Sequence, residues 1–455
     1  MNASDNKLIE EILGSVERAE ITGMSIDSRT IKSGELFVAL KGDRFDGHDF
    51  VPDVVRRGAW GALVDRAALE SRFASFSGLK NILPVEDTLH ALQEMSRRHR
   101  RKFPIPVVGI TGSNGKTTTK EMLAGILKQS GPVLKNEGNL NNHIGVPLTL
   151  MKLNKSHRAA AVEMGMSAPG EIDLLSRLVH PTVGVITNIG PAHLEFFGTI
   201  EKVAEAKGEL LGNLASDAAA VLNADDPFLG AFRNKFSGRV LTFGIKSRAD
   251  VSASKLGHGA DHADFTLSAG GGSVVIRLRA PGTHNIYNAL AAAAAAVAAG
   301  MPLDVVRQGL NDFAPVAMRS EIKEIRGRTV LADYYNANPA SMEAAISTLA
   351  SLSAGRKSFA VLGDMLELGD AGREAHRAVG ATAARAGVHS VITIGALAKH
   401  IGEGAIEAGM PKERVVEAPT HAEAAELLKK LSRPGDVVLI KGSRGMKMEK
   451  ILEGF

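Results

Sequence analysis

Val107-Val108-Gly109-Ile110-Thr111-Gly112-Ser113-Asn114-Gly115-Lys116-Thr117-Thr118-Thr119-Lys120-Glu121 decides the fold. The β-branched run predicts a strand, the glycines a turn, and the segment from Lys116 a helix. Such a turn converges backbone N–H groups on an anion. The helix start adds the positive end of its dipole, and Lys116 adds a point charge. Thr117 is placed to offer its hydroxyl to a magnesium ion. Thr111, Gly112, Ser113, Asn114, Gly115, Lys116, Thr117 and Thr118 are therefore expected to cradle the phosphates of ATP. The longer phosphate-loop pattern asks for glycine five positions before Gly115, where this chain has Ile110. The loop is the shorter Thr-Gly-x-x-Gly-Lys-Thr form. The alternative is a glycine-rich strand–helix turn with no ligand, but the strand before and helix after are the context the motif needs.

Outward from this stretch, the chain has ordinary globular composition. Of 455 residues, 44% are apolar and 23% charged, which fits two to four domains. Having no cysteine, it excludes disulfides and thiolate metal sites. The first six residues show no basic-then-apolar leader pattern, and the Ala289–Ala299 run is too short to span a bilayer. A cytoplasmic protein with no membrane partner is expected. The net charge of +4 favours anionic ligands mildly. With 4% aromatics and no basic stretch interleaved with rings, no nucleic-acid partner is expected.

The fold class expected is α/β in three domains. Residues 1–84 form a small α/β N-terminal domain, with helices at Lys7–Leu13 and Val51–Arg57 and strands at Leu36–Leu40 and Gly61–Val64. Residues 85–314 form a central mononucleotide-binding domain around the phosphate loop. A helix at Asp87–Arg101 leads in; strands at Ala159–Glu163, Thr182–Thr187, Ala218–Leu222 and Val240–Phe243 alternate with helices, so a parallel sheet is predicted. Val251–Ser254, Asp264–Ser268 and Ser273–Leu278 suggest a small antiparallel insert. Thr283–Asn288 offers capping-type polar residues to a closely packed alanine helix. Residues 315–455 form a Rossmann-like domain with strands at Thr329–Asp333, Phe359–Gly363, Ser390–Ile394 and Val437–Lys441. In such sheets ligands bind outside the strands' carboxyl ends.

Several polar groups stand at those ends. Glu163 closes an apolar strand, which favours a magnesium role over a merely satisfied carboxylate. His193 sits in the loop after another strand; alone it reads as a solvated histidine, and Glu195 as surface charge. Lys207 reads as a solvated helix lysine. Asp27-Ser28-Arg29 suits a diphosphate, but a surface turn with a solvated arginine is the favoured reading. Asn336 and Asn338 stand before Pro339 and suit equally a helix cap or a peptide-like substrate. Two functions fit: an ATP-dependent ligase or kinase closing over a small acceptor, or a nucleotide-driven switch. The number of substrate-sized lobes favours small-molecule chemistry, and dependence of hydrolysis on an added acceptor separates the two.

Over essentially its whole length the chain resembles the Mur ligases of peptidoglycan synthesis. The resemblance rests on Asp27-Ser28-Arg29, the phosphate loop through Glu121, Gly138-Asn139-Leu140-Asn141-Asn142, Glu163-Met164-Gly165 and Asn188 to Glu195. It continues through Ala206-Lys207-Gly208-Glu209, Leu222 to Pro227, Tyr335-Asn336-Ala337-Asn338-Pro339, Leu362 to Gly369 and Lys441-Gly442-Ser443-Arg444. Tyr335-Asn336-Ala337-Asn338-Pro339 stands where diamino-acid-adding and folate-type relatives show Ala-His-x-Pro, and the chain has no Asp-Asn-Pro-Arg motif in its last domain. Within the family it is similar to the D-alanyl-D-alanine-adding group. Tyr334 departs from the serine frequent in relatives.

The resemblance implies that ATP phosphorylates the terminal carboxylate of UDP-MurNAc-tripeptide, and that the amine of D-alanyl-D-alanine then displaces the phosphate. It implies a cytoplasmic monomer acting on these small molecules. It implies two Mg2+ sites, with Thr117 and Glu163 at the first and His193 at the second, where a carbamylated Lys207 would complete the ligands. Lys116, Glu163, His193 and Lys207 would be the catalytic group. Asn285, Asn288, Arg319 and Asp333 would contact adenine and ribose. Ser28 and Arg29 would meet the uridine diphosphate, Asn139 and Asn142 the substrate, and Asn336 and Asn338 the incoming dipeptide. A nucleotide held by the phosphate loop and by Arg319 and Asp333 would draw their two domains together.

Overall fold

A computed structural model describes residues 2–259 and 261–455. Met1, part of the leading stretch considered above, and Ala260 lie outside the described residues. The chain forms two compact units. One runs up to Gly109 and includes Gly131–Met166 and Glu171–Pro181; the other comprises Ile110–Ser130, Ser167–Gly170 and Thr182–Phe455.

In the first unit, β1 (Gly23–Ser25), β2 (Glu35–Val38), β3 (Gly61–Asp65) and β4 (Ile82–Val85) lie side by side in chain order, all parallel. Successive strand residues face opposite sides. Leu36, Val38 and Leu63 therefore pack with Ile9, Leu13, Leu92 and Met95 from two flanking helices, Ala3–Glu17 and Thr88–Arg101. Phe37, Ala62 and Val64 enter the opposite core with Val51 and Val54. Both faces are covered, which is why these strands read as continuous apolar runs. Asp87 caps the second helix, accepting from His90 N–H at 2.8 Å.

Strand β5 (Val107–Thr111) carries the chain from this unit into the other. Just before it, Pro106 O accepts from Ala160 N–H in β7 (Ala159–Glu163), which pairs in parallel with β6 (Val133–Lys135). In the second unit, Thr111 O at the end of β5 accepts from Thr187 N–H, just past β8 (Val183–Ile186). Then β9 (Ala219–Asn223) and β10 (Arg239–Gly244) follow in parallel. The strands β11 (Val251–His258), β12 (Ala263–Ala269) and β13 (Gly272–Leu278) are mutually antiparallel, as expected. β11 pairs in parallel with β10, with Phe243 opposite Val251, so they extend the same sheet. Asp225 makes the turn between them possible by gathering the N–H groups of Ile245, Lys246 and Ser247 at 2.7, 3.0 and 2.6 Å.

Helix Thr283–Ala298 packs on helix Lys116–Leu127 and on strands β8 to β11, and its alanines Ala289 and Ala291–Ala296 have no exposed surface. The capping expected of Thr283–Asn288 is not made. Gly282 is the N-cap and no side chain bonds there; Asn285 and Asn288 turn inward and are buried.

The last sheet has the order β14-β15-β19-β16-β17-β18, built from β14 (Glu321–Ile325), β15 (Arg328–Ala332), β16 (Ser358–Gly363), β17 (Ser390–Ile394), β18 (Val415–Glu417) and β19 (Val437–Lys441). Only β14 is antiparallel. Leu331 and Leu439 enter one core, and Val330, Ala332, Val438 and Ile440 the other. Because β15, β19 and β16 are neighbours, Asp333, Lys441 and Asp364 emerge together at their carboxyl ends. Among the described residues no helix is long and apolar enough to cross a membrane.

Candidate active site

The turn after β5 is built from contacts that only these residues allow. Gly112 holds φ +146° and a Cβ there would lie 1.9 Å from Thr187 Oγ1. Gly115 holds φ +82°, and its Cβ would lie 2.1 Å from Asn288 Oδ1. Backbone conformation and space both demand glycine. The loop is gripped from the β8 side. Asn114 N–H donates to Asn188 Oδ1 at 3.0 Å and Asn188 Nδ2 returns a bond to Asn114 O at 3.1 Å. Ser113 N–H donates to Asn188 O at 2.9 Å, and Thr187 Oγ1 to Asn114 O at 2.6 Å. Helix Lys116–Leu127 starts where predicted and has no side-chain cap at Gly115, so its first turn turns N–H groups and dipole toward the loop. Lys116 Nζ donates to Gly112 O at 2.8 Å, across the mouth of the same loop. Thr117 is buried, and Thr118 half-buried, in the helix's first turn.

His193 sits after β8 with φ 58°. Its Nδ1 lies 2.6 Å from Glu367 Oε2, a partner from the loop after β16. Burial lowers its pKa; Glu367 opposes that shift, while the Lys116 cation adds to it. Asp226 steadies the loop before it, accepting from Ile189 N–H at 2.6 Å. Burial holds the Asp226 carboxyl above its ordinary pKa.

Lys207 is not the solvated lysine its helix position suggests. It lies in helix Ile200–Gly212 with 2% exposure. Burial first, and the Lys116 cation second, pull its amine well below the ordinary 10.5. Lowering the pKa favours the neutral, nucleophilic form of the amine. Glu195 is exposed, as expected.

Glu163, 3% exposed, belongs to the first unit. Its side chain accepts from Asn141 Nδ2 at 2.8 Å, and Asn136 brackets its backbone, donating to Glu163 O and accepting from Glu163 N–H, both at 2.9 Å. Asn142 caps the next turn, accepting from Gly145 N–H at 2.8 Å, and Asn139 is exposed. Among the described residues no group of three or more His, Asp and Glu side chains converges on a metal position.

The ends of the last sheet face the phosphate loop. Asn338 caps helix Pro339–Ser353 in a reciprocal box with Ser341, which is the capping alternative realised. Its remaining amide N–H reaches Asn114 Oδ1 at 2.8 Å. Lys441, 1% exposed, donates to Asp333 Oδ2 at 2.7 Å and to Asn336 O at 2.9 Å, fixing the turn between them. Asp333 Oδ1 also accepts from Ser320 N–H at 3.1 Å. Arg319 lies over the Tyr335 ring, 4.0 Å from its centroid. Asn288 donates to Asn285 Oδ1 at 3.1 Å, and Asn285 to Pro281 O at 2.8 Å, so this pair backs Gly115. A cleft of about 100 Å³ opens between His193 and Glu367 on one side and Asn336, Asn338, Ser443 and Arg444 on the other. In the first unit, Arg29 doubles back on Asp27 at 2.7 and 2.9 Å, and Ser28 O accepts from Arg57.

The structure thus brings together the phosphate loop, His193, Lys207, Asn285, Asn288, Arg319, Asp333, Asn336 and Asn338 within the second unit. Five residues escaped assignment from sequence: Asn136, Asn141, Asn188, Glu367 and Lys441. Four of these lie in the quoted motifs, but a role depends on partners distant in the chain, as with Glu367 and His193.

Three family patterns cover most of the chain: the Mur ligase family catalytic domain over residues 20–100, the Mur ligase middle domain over 110–296, and the Mur ligase glutamate ligase domain over 318–444. The UDP-N-acetylmuramoyl-tripeptide--D-alanyl-D-alanine ligase of Bacillus subtilis (strain 168) is 38% identical over 438 residues, spanning 96% of this chain and 93% of the relative. A crystal structure of MurF from Acinetobacter baumannii superposes with a TM-score of 0.86 at 33% identity, over 97% of each chain. MurF from Thermotoga maritima in complex with ADP gives 0.84 at 30% identity, over 96% of this chain and 97% of that one. A phosphate loop gripped by Asn188, a buried lysine beside it and a capped asparagine reaching in from the last sheet are thus carried on a chain that belongs to the Mur ligase family.

Proposed function

We propose that this enzyme is an ATP-dependent, ADP-forming ligase that adds D-alanyl-D-alanine to UDP-MurNAc-tripeptide. The observation that carries this is the cleft beside the phosphate loop, where Asn338 touches Asn114 and His193 faces Asn336, Ser443 and Arg444. The acceptor carboxylate oxygen forms a bond to the γ-phosphorus of ATP as the bond to the bridging oxygen breaks, and ADP leaves. The dipeptide amine then attacks the acyl carbon, loses a proton, and phosphate departs. Lys116 and the backbone N–H groups of Gly112–Lys116 hold the negative charge that builds on the transferring group. Asn285, Asn288, Arg319 and Asp333 are proposed to seat the nucleoside, Ser28 and Arg29 the uridine diphosphate, Asn139 and Asn142 the muramyl-peptide, and Asn336 and Asn338 the dipeptide.

Magnesium fits the residues present. In the second unit a threonine hydroxyl (Thr117) and an imidazole with one nitrogen committed to Glu367 (His193), and in the first a buried carboxylate (Glu163), are each too few to cage an ion. They suit one that keeps phosphate and water ligands. When bound, the cation neutralises phosphate charge. We assign two such positions and a carbamate on Lys207, whose neutral buried amine is the form that adds CO2. Intact mass after rapid mixing with labelled bicarbonate and a trapping alkylating agent tests the carbamate. The domain limits 1–84, 85–314 and 315–455, a monomer, and a cytoplasmic setting complete the proposal.

The test is phosphate release from ATP with UDP-MurNAc-tripeptide. Release should require D-alanyl-D-alanine; equal release with single amino acids would overturn the assignment.

A further inference from the structure

His193 and Glu367 come from different sheets, one after β8 and the other after β16, 174 residues apart. Both hold positive φ, 58° and 63°, a conformation that non-glycine residues keep only where their surroundings enforce it. They meet twice. His193 Nδ1 lies 2.6 Å from Glu367 Oε2, and Glu195 N–H donates to Glu367 O at 3.2 Å.

The arm carrying Glu367 is firmly set. Buried His376 donates from Nδ1 to Gly372 O at 2.6 Å and accepts at Nε2 from Met365 N–H at 2.9 Å. Leu366 N–H donates to Ser443 Oγ at 2.9 Å. Asp364 Oδ1 accepts from Leu397 and Ala398 N–H at 3.0 and 2.6 Å. None of these bonds is needed to close the sheet; together they aim one carboxylate.

A carboxylate accepts and does not donate, so the hydrogen between the two must sit on His193 Nδ1. In the neutral ring this leaves the lone pair on Nε2. We infer that Glu367 is a positioning residue: it fixes the tautomer and angle of His193, with Nε2 bare. Because Glu367 belongs to the last sheet, His193 is ready for a cation only while that sheet's arm is seated on the phosphate-loop side. The cost of holding two left-handed residues is thereby tied to the one contact that completes the site. This deepens the proposed function and rests on His193 facing the nucleotide's divalent cation.

The experiment pairs 15N-histidine NMR with binding of Mn2+ and a non-hydrolysable ATP analogue, followed by electron paramagnetic resonance. Wild type, Glu367→Gln, Glu367→Ala and His193→Gln are compared, with thermal midpoints recorded. Wild-type His193 should show a protonated Nδ1. In Glu367→Ala the ring should become a tautomer mixture and Mn2+–nucleotide affinity should fall about 10- to 100-fold. Glu367→Gln keeps an acceptor oxygen and should fall less. A Glu367→Ala protein with the wild-type His193 resonance, or with unchanged Mn2+ affinity, overturns the inference, as does a lowered midpoint with neither readout moved. His193→Gln separates the two levels. If it binds Mn2+–nucleotide as wild type does, the metal reading itself fails; if it loses binding while Glu367→Ala does not, only the positioning role fails.

Discussion

Lys207 sets out the chemistry at the scale of one side chain. A lysine on a helix surface holds its proton firmly; one sealed between packed elements holds it less well, because the ammonium loses its water. The consequence for stability has a definite sign. The unfolded chain keeps this amine protonated up to about pH 10.4, whereas burial lowers the native amine's pKa well below that. Between those values the unfolded state binds the extra proton, so stability rises with pH. In CO2-free buffer, the urea midpoint of wild type should therefore climb more steeply between pH 7 and 9 than that of Lys207→Met. Equal slopes would show that Lys207 is charged in the native protein. No sequence feature announces this, since burial of one helix face depends on what the rest of the chain lays over it.

At the scale of elements, helix Pro339–Ser353 does two jobs through one residue. Asn338 Oδ1 accepts from Ser341 N–H at 2.9 Å, and Nδ2 donates to Asn114. Asn338→Ala should cost about 1 kcal/mol of stability, the usual worth of such a cap. Asn338→Asp preserves the cap but has no N–H for Asn114. It should retain nearly all the stability while losing ligation rate; denaturant midpoints and steady-state kinetics on both variants decide it. The strands that sequence placed to the residue, Ala159–Glu163, Ser390–Ile394 and Val437–Lys441, are buried along their whole length, so every position except the terminal Glu163 and Lys441 is apolar or small. Those it missed, β4, β6, β14 and β18, are three to five residues long and none is buried at more than one position. The phosphate loop was legible because its chemistry is local. The glutamate facing His193 was not, because its meaning lies in a partner from another sheet.

For the whole molecule, the loop and the ends of the last sheet belong to one compact unit. A nucleotide bound there stabilises the native state by mass action, about 2.7 kcal/mol at a hundredfold excess over its dissociation constant. Calorimetry of wild type with Mg2+ and a non-hydrolysable ATP analogue should show a raised melting temperature. Lys116→Ala, whose amine spans the loop mouth, should show little of that rise while melting normally alone. A full rise in the variant would place the phosphates elsewhere.

The helix Thr283–Ala298 is wedged between the phosphate-loop helix and strands β8 to β11, and its run of single-carbon side chains has no exposed surface. Such a seam has nothing left to trim and no slack to absorb growth; each added methylene would wedge the two apart and carry the glycine turn with it. Larger side chains at these seven buried positions are therefore expected to disturb the nucleotide seat. The geometry of the nucleotide seat is inherited through a surface that chemistry alone would pass over.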